Sequence, residues 1–111
     1  MSAAPKQQRV VDNQVTSKAR TRDCACLYGL WHKDGCKGLL DGHHIIPVGT
    51  GGPDVPENVI SLCRWHHTLA EALKIDPDEL RRLMTVYHNY EYDELGRPIL
   101  SDVGNVLEVQ D

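Results

Sequence analysis

The sequence predicts a small α+β domain, and three observations carry that prediction. Two short β-branched runs, Ile45-Ile46 and Val59 to Leu62, flank a Gly/Pro-rich loop; the apolar period becomes helical after Leu62; and Asp76-Pro77 opens a further helix. At 111 residues the chain is one domain. With no Phe, two Trp and four Tyr, its core is small and built mainly from Leu, Val and Ile, and a core of that size usually needs a staple. Four cysteines offer one. The start MSAAPKQQRV lacks the apolar stretch, roughly 7 to 15 residues long, of a secretory signal, so a reducing, cytoplasmic setting is expected and the cysteines read as metal ligands rather than disulfides. No run approaches the roughly 18 apolar residues that span a bilayer, so no membrane partner is expected.

Residues 1–22 are rich in Gln, Ser, Lys and Arg and lack sustained apolar periodicity. They read as a flexible basic arm, disordered apart from a short helix near Val15 to Arg20. The net charge of -4 is uneven, with +4 on residues 1–22 and -8 on the remainder. Such an arm can touch phosphate locally or be a solvated tail. From Asp23 an apolar segment with Cys24, Cys26, Gly29 and Trp31 leads through a turn at Lys33 to Gly35, then Cys36, then Leu39-Leu40. Strand one is expected at Ile45-Ile46 and ends near Pro47, which has no backbone donor. Val48 to Glu57, with three glycines and two prolines, reads as loop; Asn58 opens strand two; and a helix of roughly ten residues starts near Arg64. Asp76 is an N-cap, with Pro77 at the first helical position and acids in the first turn. This helix ends near Asn89 and carries Leu80, Leu83, Met84 and Tyr87 on one face. The organisation read from this is an arm at 1–22, a folded domain at 23–92 and a tail at 93–111.

The chemistry concentrates between Gly42 and Glu71, where His43-His44, Asn58, Cys63, His66 and His67 bracket one loop. A single histidine on an apolar stretch is ordinarily structural. Two adjacent pairs with a Cys-x-x-His step between them point to metal binding. His32 and His88 lack such company and read as structural or solvated, and Trp31 and Trp65 as packing in the core or around a zinc site. Gly51-Gly52 is either a plain turn or a close approach to a ligand.

The ordered set His43-His44-Ile45-Ile46-Pro47, Gly51-Gly52, Asn58 and Leu62-Cys63-x-x-His66-His67 resembles the HNH endonuclease motif, and in size the chain looks most like the small HNH proteins of bacteriophages. The resemblance implies a ββα-metal (His-Me finger) fold with a structural zinc site. It also implies a metal-dependent DNA endonuclease that uses one divalent cation, Mg2+ or alternatively Mn2+, Ni2+ or Zn2+. By position His44 matches the general base, His43 and His67 match ligands of the catalytic cation, and Glu71, four residues after His67, is an additional ligand. Asn58 matches the central Asn, which either orients the catalytic histidine or reaches the metal. Cys63 and His66 replace the usual Cys-x-x-Cys of the zinc site, for which Cys26 and Cys36 are the favoured partners, with Cys24 as the alternate. Adjacent strand residues face opposite ways, so bringing His43 and His44 to one phosphate implies a bend, which Gly42 would permit. Arg20, Arg22 and Arg64 are the candidate DNA contacts. Two other readings are a catalytically silent zinc-stabilised DNA-binding or phage packaging accessory, and a zinc module that docks a partner protein through the Asp76 to Asn89 helix.

Overall fold

A computed structural model describes residues 14–100. Its helices are α1 (residues 14–23), α2 (Leu27–His32), α3 (Arg64–Glu71) and α4 (Pro77–His88). Its strands are β1 (Leu40–His44) and β2 (Val59–Cys63), with short 3-10 turns at Val48–Thr50 and Pro56–Asn58 between them. Residues 1–13 of the expected arm and 101–111 of the expected tail lie outside the described residues.

β2 is the centre of the molecule, with all five of its residues buried. It pairs antiparallel with β1, Leu40 opposite Cys63 and His44 opposite Val59. Ile60 and Leu62 are fully buried with Leu80, Leu83 and Met84 of α4. Withdrawing each such side chain from water contributes about 1.5 to 3 kcal/mol. The outer edge of β2 would be a row of unpaired backbone groups, and α1 closes it. Asp23 Oδ2 accepts from the Ser61 N–H at 3.0 Å, an Arg22 Nη2 donates to the Val59 carbonyl at 2.6 Å, and Ser61 Oγ donates to the Ala19 carbonyl at 3.0 Å. Asp23 is also bonded to Arg22 and to His88 Nε2, at 2.7 and 2.6 Å. Burial would raise its carboxyl, but Arg22, His88 and the Ser61 N–H together hold it below the ordinary carboxylate range.

Three sequence expectations are revised by this packing. The short helix expected near Val15 to Arg20 is longer, spanning residues 14–23, and is docked rather than part of a flexible arm: Thr16 and Ala19 are buried, because its small face fits against β1 and its last turn satisfies β2. β1 starts at Leu40 rather than Ile45. Its position is set by pairing with β2, which overrides the weak β propensity of Asp41 and Gly42. The Ile45 N–H still donates to the Asn58 carbonyl at 2.8 Å, and the chain leaves the sheet before Pro47. Trp31 and Trp65 are exposed rather than core, covered in part by Arg82 and Lys37, whose charges sit 5.2 and 5.6 Å from the rings.

α4 follows its sequence signals closely. Asp76 accepts from the Asp78 N–H at 2.9 Å, Pro77 occupies the first turn, and Asn89, left-handed at φ 63°, closes the helix with its N–H on the Thr85 carbonyl. Beyond it, residues 93–96 turn back to bring Pro98 opposite Tyr92, whose hydroxyl donates to the Glu57 carbonyl at 2.8 Å. Among the described residues no helix is long and apolar enough to cross a membrane.

Candidate metal centres and catalytic cleft

The step from β2 into α3 gathers the first group. Cys63 caps α3, and its thiol accepts from the His66 N–H at 3.4 Å, so both side chains turn to the same side. Cys26 caps α2 in the same way through the Gly29 N–H, at 3.4 Å, and Cys36 arrives from the loop after α2. The four ligand atoms lie within 4.8 Å of one another. His66 Nδ1 is 3.3 Å from the Cys26 and Cys63 sulfurs and 3.9 Å from that of Cys36. A tetrahedral ion with ordinary zinc bond lengths would set such sulfur–nitrogen distances at about 3.5 Å. The other ring nitrogen, Nε2, lies 3.0 Å from Asp34 Oδ2, which holds its proton and leaves Nδ1 free to ligate. A Cβ on Gly29 would collide with the Cys36 sulfur, so only glycine leaves room for this group. Burial and the neighbouring thiols push Cys36 up to about 12 and raise Cys26. At Cys63 burial is outweighed by the His66 and Lys37 N–H groups, bringing the thiol to about 7. Three crowded sulfurs of this kind ionise together only around a cation. Cys24 is exposed, donates to the Thr21 carbonyl at 3.0 Å and takes no part.

The second group joins β1 to α3. His43 and His67 meet edge to face with ring centres 5.1 Å apart, and His43, His67 and Glu71 place ligand atoms within 4.8 Å of one another. Glu71 follows His67 by one helical turn, which brings its Oε2 to 3.2 Å from His67 Nε2. His67 Nδ1 lies 2.9 Å from Asp41 Oδ2. With the proton on Nδ1, a lone pair on Nε2 faces a carboxylate, an arrangement that a cation between them relieves. Two imidazoles and a carboxylate suit a borderline or hard divalent ion. Burial and the neighbouring His67 and His44 lower His43 to about 4, so it is neutral and ligand-competent at neutral pH.

His44 ends β1 and lies against the same cleft of about 580 Å³ that His43, His67 and Glu71 line. The pair reaches one cleft without a bend at Gly42. Gly42 stays paired with Ser61 in the strand, and its missing side chain instead admits Thr16, whose Cβ would lie 2.7 Å from a Cβ placed there. His44 Nε2 is 2.8 Å from Asp54 Oδ1 in the loop. That contact fixes the Nε2–H tautomer and leaves Nδ1 as the basic nitrogen. Asn58 is buried, and its side chain hydrogen-bonds neither to His44 nor to the cation group. Its Oδ1 accepts from the Ile46 N–H at 3.0 Å, and its Nδ2 donates to the Ile46 and Pro53 carbonyls at 2.9 and 3.0 Å. Both of its side-chain donors are spent on the loop backbone, which leaves none for His44. Gly52 packs against the Ile46 carbonyl and Gly51 closes a 3-10 turn at φ 95°, which accounts for both glycines without a ligand.

The three arginines differ. Arg22 is committed to Asp23 and to the Pro56 and Val59 carbonyls, so it is a structural residue rather than a free phosphate contact. Arg64 is exposed but bonded to Asp41 at 2.7 and 3.2 Å, within one step of His67, and Arg20 is half-buried on α1. The carboxylates that orient the imidazoles, Asp34, Asp41 and Asp54, were missed in the sequence. Only Asp41 carried a signal, since it lies two residues before His43 and so shares its strand face.

No curated protein and no solved structure matches the chain. Residues 29–71 match the family model described as HNH endonuclease, a span that holds every member of both groups except Cys26. With strand, loop, strand and helix presenting His43, His44 and His67 to one cleft, this stretch of the chain is similar to the HNH endonuclease family.

Proposed function

We propose that the chain is a metal-dependent DNA endonuclease that hydrolyses phosphodiester bonds with His44 as general base. The observation that carries this reading is the convergence of His43, His67 and Glu71 on one point of the cleft that His44 also lines. His43, His67 and Glu71 would hold one divalent cation, Mg2+ or an equivalent ion. When bound, that cation offsets the charge that builds on the phosphoryl and leaving oxygens. His44 Nδ1 takes the proton of a water aimed at phosphorus, while Asp54 keeps the opposite nitrogen protonated. Asn58 holds the loop that carries Asp54, and Asp41 keeps His67 turned towards the cleft. Cys26, Cys36, Cys63 and His66 would hold a structural zinc that pins α2 and the loop after it to the start of α3. The products carry 5' phosphate and 3' hydroxyl ends.

A supercoiled-plasmid assay with Mg2+, Mn2+, Ni2+ and Zn2+ in turn tests this. The wild type should nick or cut, and His44→Ala should lose about 10² to 10⁴ in rate with the fold intact. DNA retained without nicking under every ion would instead support a silent binding module.

A further inference from the structure

The lining of the cleft has a polar and an apolar part. Beside the histidines and Glu71, its wall is apolar: Ile75 and Leu80 are buried in it, and Val48 and Leu73 are exposed on its lining at 53% and 74%. Among the described residues no Lys or Arg lines it, so this part has nothing to attract a phosphate. Leu73 is held there at a cost. It follows the C-cap of α3 in the left-handed region, at φ 58°, where glycine is the ordinary residue and a leucine costs about 1 to 2 kcal/mol. The Leu73 and Lys74 N–H groups return to the Ala70 and Leu69 carbonyls at 3.0 and 2.8 Å, so this backbone closes α3 and leaves the leucine side chain exposed on the cleft lining.

We propose that this apolar part receives the sugar and base of the nucleotide next to the scissile phosphate, with that base out of the stack. The substrate is therefore DNA that is unpaired at the cleavage position. This rests on the nuclease reading above, because it is the phosphate held at His43, His67 and Glu71 that delivers its own nucleoside to the adjoining wall. The occupant follows from covalent connection: a nucleoside bonded to that phosphate must lie beside it, and the whole cleft, histidines and Glu71 included, has a volume of about 580 Å³, in the range of pockets that enclose a small molecule. Every base offers an apolar face, so the contact discriminates unpaired from stacked bases rather than one base from another.

The test measures binding separately from cleavage. In a His44→Ala background with Mg2+, affinity is measured for a short fluorescein-labelled single-stranded DNA, for its duplex, and for a deoxyribose-phosphate chain of equal length without bases. The single strand should bind roughly tenfold more tightly than either of the others. Leu73→Gly should remove most of that advantage without lowering Tm, because glycine relaxes the left-handed backbone; Val48→Ser should act in the same direction. Equal affinity for single strand and duplex, or a single-strand advantage that survives Leu73→Gly, overturns the inference. Absence of DNA hydrolysis by the unmodified protein overturns the nuclease reading and leaves this binding comparison to be decided on its own result.

Discussion

An imidazole buried between two others is costly to protonate, which is why His43 stays neutral down to about pH 4. In the unfolded chain the same group titrates near 6.5, so as pH falls the unfolded state takes the proton first. Stability linked to His43 is therefore complete above about pH 6.5 and is lost as pH drops towards 4, by up to about 3 kcal/mol. Comparing urea midpoints of wild type and His43→Gln over that window should show the steeper fall in the wild type; parallel curves would remove His43 as the cause. At Asp23 the sign is simpler. Its side chain is fully buried among Arg22, His88 and the Ser61 N–H, so Asp23→Ala leaves the Ser61 N–H without its acceptor and the half-buried Arg22 with carbonyl partners alone, and should cost about 1 to 3 kcal/mol in urea unfolding. Histidines and cysteines could be read from the sequence because their types and spacing are restrictive. The carboxylates that orient them could not: Asp34 and His66 are 32 residues apart, Asp41 and His67 are 26 apart, and an aspartate in a turn has many bland explanations.

Elements with local punctuation were legible, and those defined by pairing were not. α4 carries its own start and stop in Asp76, Pro77 and Asn89, and Asp76→Ala should cost about 1 kcal/mol. β1 has no such marks. Leu40-Asp41-Gly42 becomes strand only because β2 lies beside it, and the β-branched Ile45-Ile46 falls just past the sheet. α1 was legible in part, as a short helix near Val15 to Arg20, but its last turn and its docking were hidden, because they cap an edge that the sequence does not reveal. α2 is short and lives by the cysteine group it borders. Gly29→Ala should drive Cys36 out of place, costing about 1 to 3 kcal/mol and lowering zinc content in parallel. An alanine variant with unchanged zinc and Tm would show that α2 can yield without disturbing the group.

At the scale of the molecule, α3 is shared property. Its first turn completes the cysteine group through His66, and the next residue, His67, faces the cleft, so one helix ties the proposed staple to the proposed chemistry. The two groups should nevertheless be separable, since they share no ligand. The most direct measurement of that separation is plasmid cleavage by His67→Ala with zinc content determined on the same preparation. The account predicts that cleavage falls at least a hundredfold while one zinc per chain and the melting temperature are retained. Cleavage at the wild-type rate, or loss of the zinc along with the activity, would contradict it.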